Sequence, residues 1–311
     1  MNLMLRQTSE ENTQRMPTRF NHLNCPLCGN AQVRTILTGW SDGYDAVQCG
    51  RCSLIFAFPM KCDVRMYDCS YDNGGEFAGL SAKPTFVKNK MQVPLGWPYK
   101  TLLRFIRNGV MGKDFFEVGC GDAHFLYFLK SKGYNVNGCD VSASARRRAK
   151  ELFGIDIIQN KFDSSTVADN SLDVIAAFEL IEHLERPLEF LKTVYSKLKP
   201  GGYLFLSTPN VETKWPFTWK HNKAVLPPFH LTIWTKKSIR LAADAAGLRV
   251  IRFIEKPIPF ALNLWSNINL CCGYFPSRLY RLSREKKALH CFVFYKNSYE
   301  LNGYIMKKVR H

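Results

Sequence analysis

Phe115-Phe116-Glu117-Val118-Gly119-Cys120-Gly121-Asp122-Ala123-His124 is the stretch that decides how the chain folds. Its apolar start predicts a buried strand, its two glycines a tight turn, and the residues after them the opening of a helix. A glycine turn at the carboxyl edge of a parallel strand lets backbone approach a ligand next to a helix N-terminus. Two common uses of such a turn are excluded. A dinucleotide fingerprint needs a third glycine at position 124, where His124 stands, and a phosphate-binding P-loop needs Gly-Lys-Ser/Thr after the turn. What fits is an acid two residues before the first glycine, Glu117, and then Gly-x-Gly. Nineteen residues beyond Gly121, Asp140 ends a second strand in Gly138-Cys139-Asp140-Val141-Ser142. A carboxylate there can accept two hydrogen bonds from ribose hydroxyls and so hold an adenosine.

Outward from this stretch, strand and helix signals alternate from Asp114 to about Val250. Strands are expected at Phe115–Gly119, Tyr134–Cys139, Ile155–Gln159, Leu172–Phe178 and Tyr203–Ser207. Helices are expected at Ala123–Lys132, Ser142–Phe153, Leu188–Leu198 and Thr235–Ala246, with Lys199-Pro200-Gly201-Gly202 as a sharp stop after the third. β-Branched and aromatic runs, most followed by a helix-length segment, predict a doubly wound α/β sheet covered on both faces. Tyr99–Asn108 has the apolar spacing of one further, outer helix, and Tyr299–Val309 that of a final strand.

In these motifs and their order the chain resembles the class I S-adenosylmethionine-dependent methyltransferases over residues 96 to 250. Glu117-Val118-Gly119-Cys120-Gly121 is similar to that family's first motif, with Ala123 in place of its last glycine, and Asp140 matches its ribose-binding acid. Ser171–Ile175 with Glu179-Leu180-Ile181-Glu182-His183-Leu184 resembles the fourth strand and its loop, and Leu198–Leu204 the turn into the fifth strand. The resemblance implies a Rossmann-like sheet, mostly parallel with an antiparallel last strand. It implies S-adenosylmethionine as cofactor, held by Glu117, Gly119, Cys120, Gly121, Asp140 and Val141. Lys161 and Phe162 would border the adenine, and Phe178 and Glu179 the methionine portion.

Ahead of this core, Cys25-Pro26-Leu27-Cys28-Gly29 and Cys49-Gly50-Arg51-Cys52 form two CxxC pairs separated by 20 residues. Each pair brings two thiolates to one ion, and the chain between them can return as a strand pair. The spacing predicts a structural Zn2+ held by Cys25, Cys28, Cys49 and Cys52, with no open coordination position. The other seven of the 11 cysteines show no ligand spacing, and most of them read as small buried hydrophobes. Methyltransferases of sugar and polysaccharide pathways that carry such a ribbon resemble the chain further, through Cys52–Phe56, Tyr67, Tyr71 and Pro227–Trp234. In the related deoxysugar C-methyltransferases a Tyr-x-x-His stands at the last of these; here His230 matches the histidine and Pro227 replaces the tyrosine. That departure favours oxygen over carbon as the methyl acceptor.

The organisation expected is a flexible N-terminus at 1–20, a zinc ribbon at 21–60 and a connecting region with the outer helix at 61–112. The cofactor-binding core then covers 113–250, and a cap with the final strand 251–311. Across its 311 residues, 43 Lys+Arg outnumber 26 Asp+Glu, a formal net charge of +17. Such a charge suits an anionic partner: nucleic acid, a phosphorylated substrate or an acidic membrane surface. The polar start of the chain lacks the apolar core of a secretion signal, which predicts a cytoplasmic protein.

Methyl transfer from a sulfonium needs alignment of nucleophile and methyl, and a group to take the proton of a hydroxyl acceptor. His230 and His183 fall after sheet strands, on the ligand-binding edge, and are the candidate catalytic residues. Tyr67 and Tyr71 are weaker candidates for lining the acceptor pocket, with ordinary packing favoured. The expected acceptor is a small molecule: a sugar, a polysaccharide precursor, or a phosphorylated or lipid-linked sugar. A membrane-lying acceptor would use Pro257–Phe275 and the basic tail, in contact with the inner membrane surface. RNA methylation, which the ribbon and the charge permit, is the second expectation, disfavoured because no RNA-binding signature is present. An inactive scaffold is the third, opposed by the intact Gly119, Gly121 and Asp140.

Overall fold

The structure, a computed structural model, describes residues 23–62, 65, 67–68, 85–87, 90–92, 95–108, 112–210, 226–255 and 300–308. Its centre is a seven-stranded sheet. Strands β6 (Asp114–Val118), β7 (Asn135–Asp140), β8 (Ile158–Gln159), β9 (Leu172–Phe178) and β10 (Leu198–Asn210) run parallel in the order β10-β9-β6-β7-β8. β13 (Glu300–Lys308) pairs antiparallel with β10, and β12 (Leu248–Glu255) antiparallel with β13. The sequence order reverses between β6 and β9, which puts a crevice at the carboxyl ends of those two strands. This is the expected mostly parallel Rossmann-like sheet with its antiparallel last strand.

Side chains alternate between the two faces with period two, as buried strands must. Phe116 and Val118 of β6, Ile175 and Ala177 of β9, and Leu204 and Leu206 of β10 enter one core. Phe115, Val174, Ala176 and Phe205 enter the other. Helices α1 (Trp97–Asn108), α2 (His124–Lys130) and α3 (Ala143–Phe153) supply residues to the second core, among them Leu102, Phe125 and Ala149. Helices α4 (Pro187–Lys197) and α5 (Lys236–Ala245) cover the first through Leu191, Val194, Ile239 and Ala242. The local signals explain the helix ends. Ser142 accepts from Ala145 N, Thr235 and Ser238 form a capping box, and Gly154 closes α3 in the left-handed region at φ 64°.

Three features differ from expectation. Only Ile158–Gln159 of the run Ile155–Gln159 pairs in the sheet; Ile155 and Ile157 are buried as core residues on the approach to this short edge strand. The stop at Lys199–Gly202 lies inside the span of β10, as an irregularity between Leu198 and Tyr203 where Gly201 takes φ 87°. β12 continues past residue 250, its polar and apolar residues mixed as befits an edge strand.

The N-terminal part is a second sheet: β1 (Val33–Ser41), β2 (Tyr44–Cys49) and β3 (Ile55–Phe58), with β11 (Thr232–Ile233) as its fourth strand, antiparallel to β3. β4 (Thr85–Val87) and β5 (Lys90–Gln92) form a separate hairpin. Cys25, Cys49, Cys52, Leu54 and Phe56 share one continuous core with Ile181, Leu191 and Trp234. No helix among the described residues is long and apolar enough to cross a membrane.

Candidate functional site

After β6 the chain turns through Gly119 at φ 70° and Gly121 at φ 55°, both in the left-handed region. A Cβ on Gly119 would approach Leu180 Cδ1 to 3.1 Å, so the space over the turn is narrow. Gly119 N and Cys120 N both donate to Cys139 O, at 2.8 and 3.1 Å. Gly121 N donates to Asp140 Oδ2 at 2.9 Å, and Ser142 N to Asp140 Oδ1 at 2.9 Å. Three successive amides are therefore spent inside the protein, and the turn is no phosphate cradle. This agrees with the missing third glycine. Ala123 also lies in the left-handed region, at φ 62° with its methyl buried, where the resembled family carries its last glycine. That conformation costs roughly 1–2 kcal/mol for an L-residue.

Two carboxylates flank the turn. Glu117 is 1% exposed, and neither of its oxygens has a hydrogen-bond partner among the described residues. Burial pushes its carboxyl well above the usual range. Burial also raises Asp140, against the opposing pull of the amides of Ser142 and Gly121. Each Asp140 oxygen accepts one amide and keeps capacity for one more donor. An ammonium group beside Glu117 and a vicinal diol beside Asp140 are the complements this arrangement lacks, so these residues fit S-adenosylmethionine.

The remaining cofactor candidates divide. The Cys120 side chain is buried in the second core, so only its backbone belongs to the turn. Phe178 ends β9 edge-on to Tyr99 at 5.0 Å. Phe162 packs against Phe116 and Phe190, at 5.3 and 6.2 Å between ring centroids, beside the exposed Lys161. Val141 follows Asp140 directly into the cap of α3.

At the carboxyl end of β9 the backbone is again left-handed, with Glu179 at φ 50°. Ser207 holds this residue: its hydroxyl donates to Glu179 Oε1 at 2.6 Å, and its carbonyl accepts from Glu179 N at 3.1 Å. A single 3-10 turn, Ile181–His183, follows. The chain before β11 is stitched to it. His183 Nδ1 donates to Phe229 O at 2.6 Å, Leu231 N donates to Glu182 O at 2.8 Å, and Ala57 N of β3 donates to Leu231 O at 2.8 Å. His183 and His230 thereby meet, their rings 4.6 Å apart and nearly perpendicular. Burial pushes His183 down to about 4, and burial, with the neighbouring His183, pushes His230 well below its ordinary value. Both imidazoles are neutral at neutral pH.

Neighbouring residues pack beside the histidine pair. Tyr67 lies edge-on to His183 at 5.9 Å, its hydroxyl 3.6 Å from Cys62 Sγ, and burial raises its phenol. Asp68 accepts from Ser142 Oγ at 2.7 Å, so adjacent residues touch His183 and the loop of Asp140. Glu182 and Asp68 were not singled out in the sequence; only the three-dimensional meeting of 182–183 with 230 exposes the first, and no motif signals the second. Tyr71 and Pro257–Phe275 lie outside the described residues.

The four ribbon cysteines converge, with all Sγ atoms within 4.8 Å of one another. Cys25 and Cys52 Sγ are 3.5 Å apart, and Cys28 and Cys49 Sγ 3.6 Å. These are not disulfides, whose sulfurs sit about 2.05 Å apart. They are close to the edge of about 3.8 Å that a tetrahedron with Zn–S of about 2.3 Å requires. Cys52 N and Asn30 Nδ2 both donate to Cys49 Sγ, and Gly29 turns at φ 67°. The donor set and its geometry fit Zn2+.

A family model described as a methyltransferase domain matches residues 96–252. Over 140 residues the sequence is 27% identical to a protein of Mycolicibacterium smegmatis named "Probable S-adenosylmethionine-dependent methyltransferase", covering 45% of this chain and 53% of that one. It is 33% identical over 114 residues to a ubiquinone biosynthesis O-methyltransferase of Actinobacillus pleuropneumoniae, covering 33% of this chain and 48% of the relative. The chain thus spans about half the length of the curated relatives it matches. Among solved structures, the cyclase SpnF superposes with a TM-score of 0.51 at 14% identity, over 80% of this chain and 95% of that one, a likeness of fold alone. With its sheet order, its glycine turn and the family match in agreement, this chain belongs to the methyltransferase-domain family of class I S-adenosylmethionine-dependent proteins.

Proposed function

We propose that this protein transfers a methyl group from S-adenosylmethionine to a hydroxyl oxygen of a small-molecule acceptor, a sugar, polysaccharide precursor or related metabolite. Bound S-adenosylmethionine supplies an already activated methyl on a sulfonium. Glu117 and Asp140 would hold its two polar ends, and the turn at Gly119 and Gly121 would let backbone approach it. The observation that carries the reading is the pairing of neutral His183 and His230 at the carboxyl edge of the sheet. An acceptor hydroxyl lying beside these imidazoles would face the methyl that bound S-adenosylmethionine would supply, and its proton would leave on their side. Oxygen as the nucleophile is supported by the name of the O-methyltransferase relative and by Pro227, which stands where carbon methylation would want a tyrosine.

The ribbon is read as a structural zinc site. Its role here is positional: β3 pairs with β11, the strand that follows His230. Transfer of labelled methyl to a panel of nucleotide-sugars and simple hydroxylated metabolites tests the whole reading. His230→Ala should cut turnover about 100-fold or more while cofactor affinity stays within about threefold. Undiminished turnover in that variant would refute the acceptor-side assignment. A panel in which only non-sugar acceptors react would overturn the sugar class and leave methyl transfer standing.

A further inference from the structure

We propose that Glu182, His183 and His230 bind a divalent first-row transition-metal ion, a site separate from the ribbon cysteines. One ligand atom from each of the three lies within 4.8 Å of the others. Glu182 is 1% exposed, and both carboxylate oxygens lack a hydrogen-bond partner among the described residues. A buried carboxylate left in that state is costly, and a cation removes the cost. The main chain at this residue is anchored, since Glu182 O accepts from Leu231 N at 2.8 Å.

The tautomer of His183 points the same way. Phe229 O can only accept, so Nδ1 carries the proton at 2.6 Å and Nε2 is the ring nitrogen with a lone pair able to act as a ligand. A ligand imidazole that donates its other N–H to a backbone carbonyl is the usual outer-shell arrangement at a metal. His230 packs against the His183 ring at 4.6 Å and adds the second imidazole. Two imidazoles and one carboxylate suit manganese, iron, cobalt or zinc better than the all-oxygen shells of calcium and magnesium, and they leave coordination positions open.

Resting on the methyl-transfer reading, an open position here would take the acceptor hydroxyl. Its oxygen would bind the ion as its proton leaves to solvent water, and the resulting oxyanion would then attack the methyl carbon. The ion acts as a Lewis acid, so no strong protein base is required. The two histidines are then ligands, and their loss removes the ion together with turnover.

The test uses the full chain with zinc already bound in the ribbon, titrated with Mn2+ while the resonance of free aqueous Mn2+ is followed. One further Mn2+ per chain should bind, and Glu182→Gln and His230→Ala should each weaken it at least about tenfold with the ribbon zinc retained. Pulsed spectroscopy of the Mn2+ complex of the unaltered chain should show coupling to imidazole nitrogen. This readout does not depend on the variants folding. Absence of any Mn2+, Co2+ or Zn2+ beyond the ribbon ion, absence of nitrogen coupling, or unchanged affinity in both variants would each overturn the site. S-adenosylmethionine binding, measured on the same sample, separates this failure from failure of the methyl-transfer reading.

Discussion

Replacing Asp140 by Asn should weaken binding of S-adenosylhomocysteine, the product form of the cofactor, about 30- to 150-fold. The carboxylate has one oxygen 2.9 Å from Gly121 N and the other 2.9 Å from Ser142 N. Each oxygen has room for one further donor, so a ribose diol can bind both at once. An amide of the same size keeps one acceptor and turns the other position into an NH2 group facing a backbone N–H. One charge-assisted bond to the diol is lost, and the turn loses one of the amide contacts that shape it. A hydrogen bond to a charged group contributes roughly 1.5–3 kcal/mol. A net loss of about 2–3 kcal/mol corresponds to the stated range at 1.4 kcal/mol per tenfold. Titration calorimetry at pH 7.5 measures it, with the thermal midpoint confirming that the variant is folded. A cofactor analogue lacking one ribose hydroxyl closes a cycle: it should bind the unaltered chain more weakly but lose little further in the variant. A folded Asp140→Asn protein that binds within threefold of the original would refute the adenosine-binding assignment of this loop.

Two further outcomes follow from other parts of the molecule. Cys28→Ser should remove one zinc per chain, read by elemental analysis, and lower turnover more than cofactor affinity, because the ribbon sheet supports the strand after His230 and does not touch the glycine turn. Lys199 bonds Asp114 Oδ2 at 2.6 Å and Asp173 Oδ2 at 3.1 Å, and this holds the Asp114 carboxyl below its ordinary value. The folded value is depressed, so the contribution is present at neutral pH and fades as pH falls through the carboxylate range. Because these side chains are about one third exposed, Lys199→Met should cost only about 0.5–1 kcal/mol in urea unfolding at pH 7, and the difference should shrink towards pH 3.

The parts of the fold that could be read in advance are those whose cause is local. Gly119, Gly121 and the apolar run before them specify a strand, a left-handed turn and a helix within ten residues. The nearly unbroken apolar runs of β6 and β9 announce burial on both faces. What could not be read depends on contacts between distant segments. Ile155 and Ile157 carry a strand signal, yet their burial is satisfied in the core and only Ile158 and Gln159 reach β7. Lys199–Gly202 has the composition of a stop, but the demand of β9 for a neighbour keeps the chain in the sheet through a shift in register. The CxxC spacing announces the convergence of four thiols, and nothing in it announces that the ribbon borrows its last strand from residues 232–233. His183 and His230 were each visible as candidates. Their contact, and the buried carboxylate of Glu182 beside them, arise only when that borrowed strand draws position 230 against the turn after β9.

This borrowing also bears on why a ribbon precedes the core at all. A tethered module would bury its own small core and meet its neighbour through a polar interface. Here Cys49, Cys52, Leu54 and Phe56 are buried together with Ile181 and Trp234, so the ribbon and the turn after β9 share one interior. Trp234 is fully buried and donates through Nε1 to Thr232 Oγ1 at 2.8 Å, which ties the residue after the short strand β11 to that strand's first residue. The glycine turn, by contrast, is held by Cys139, Asp140 and Ser142, all from β7 and the start of α3. The glycine turn and the histidine pair therefore have separate supports. A change in the ribbon can move the histidine pair while the glycine turn stays in place.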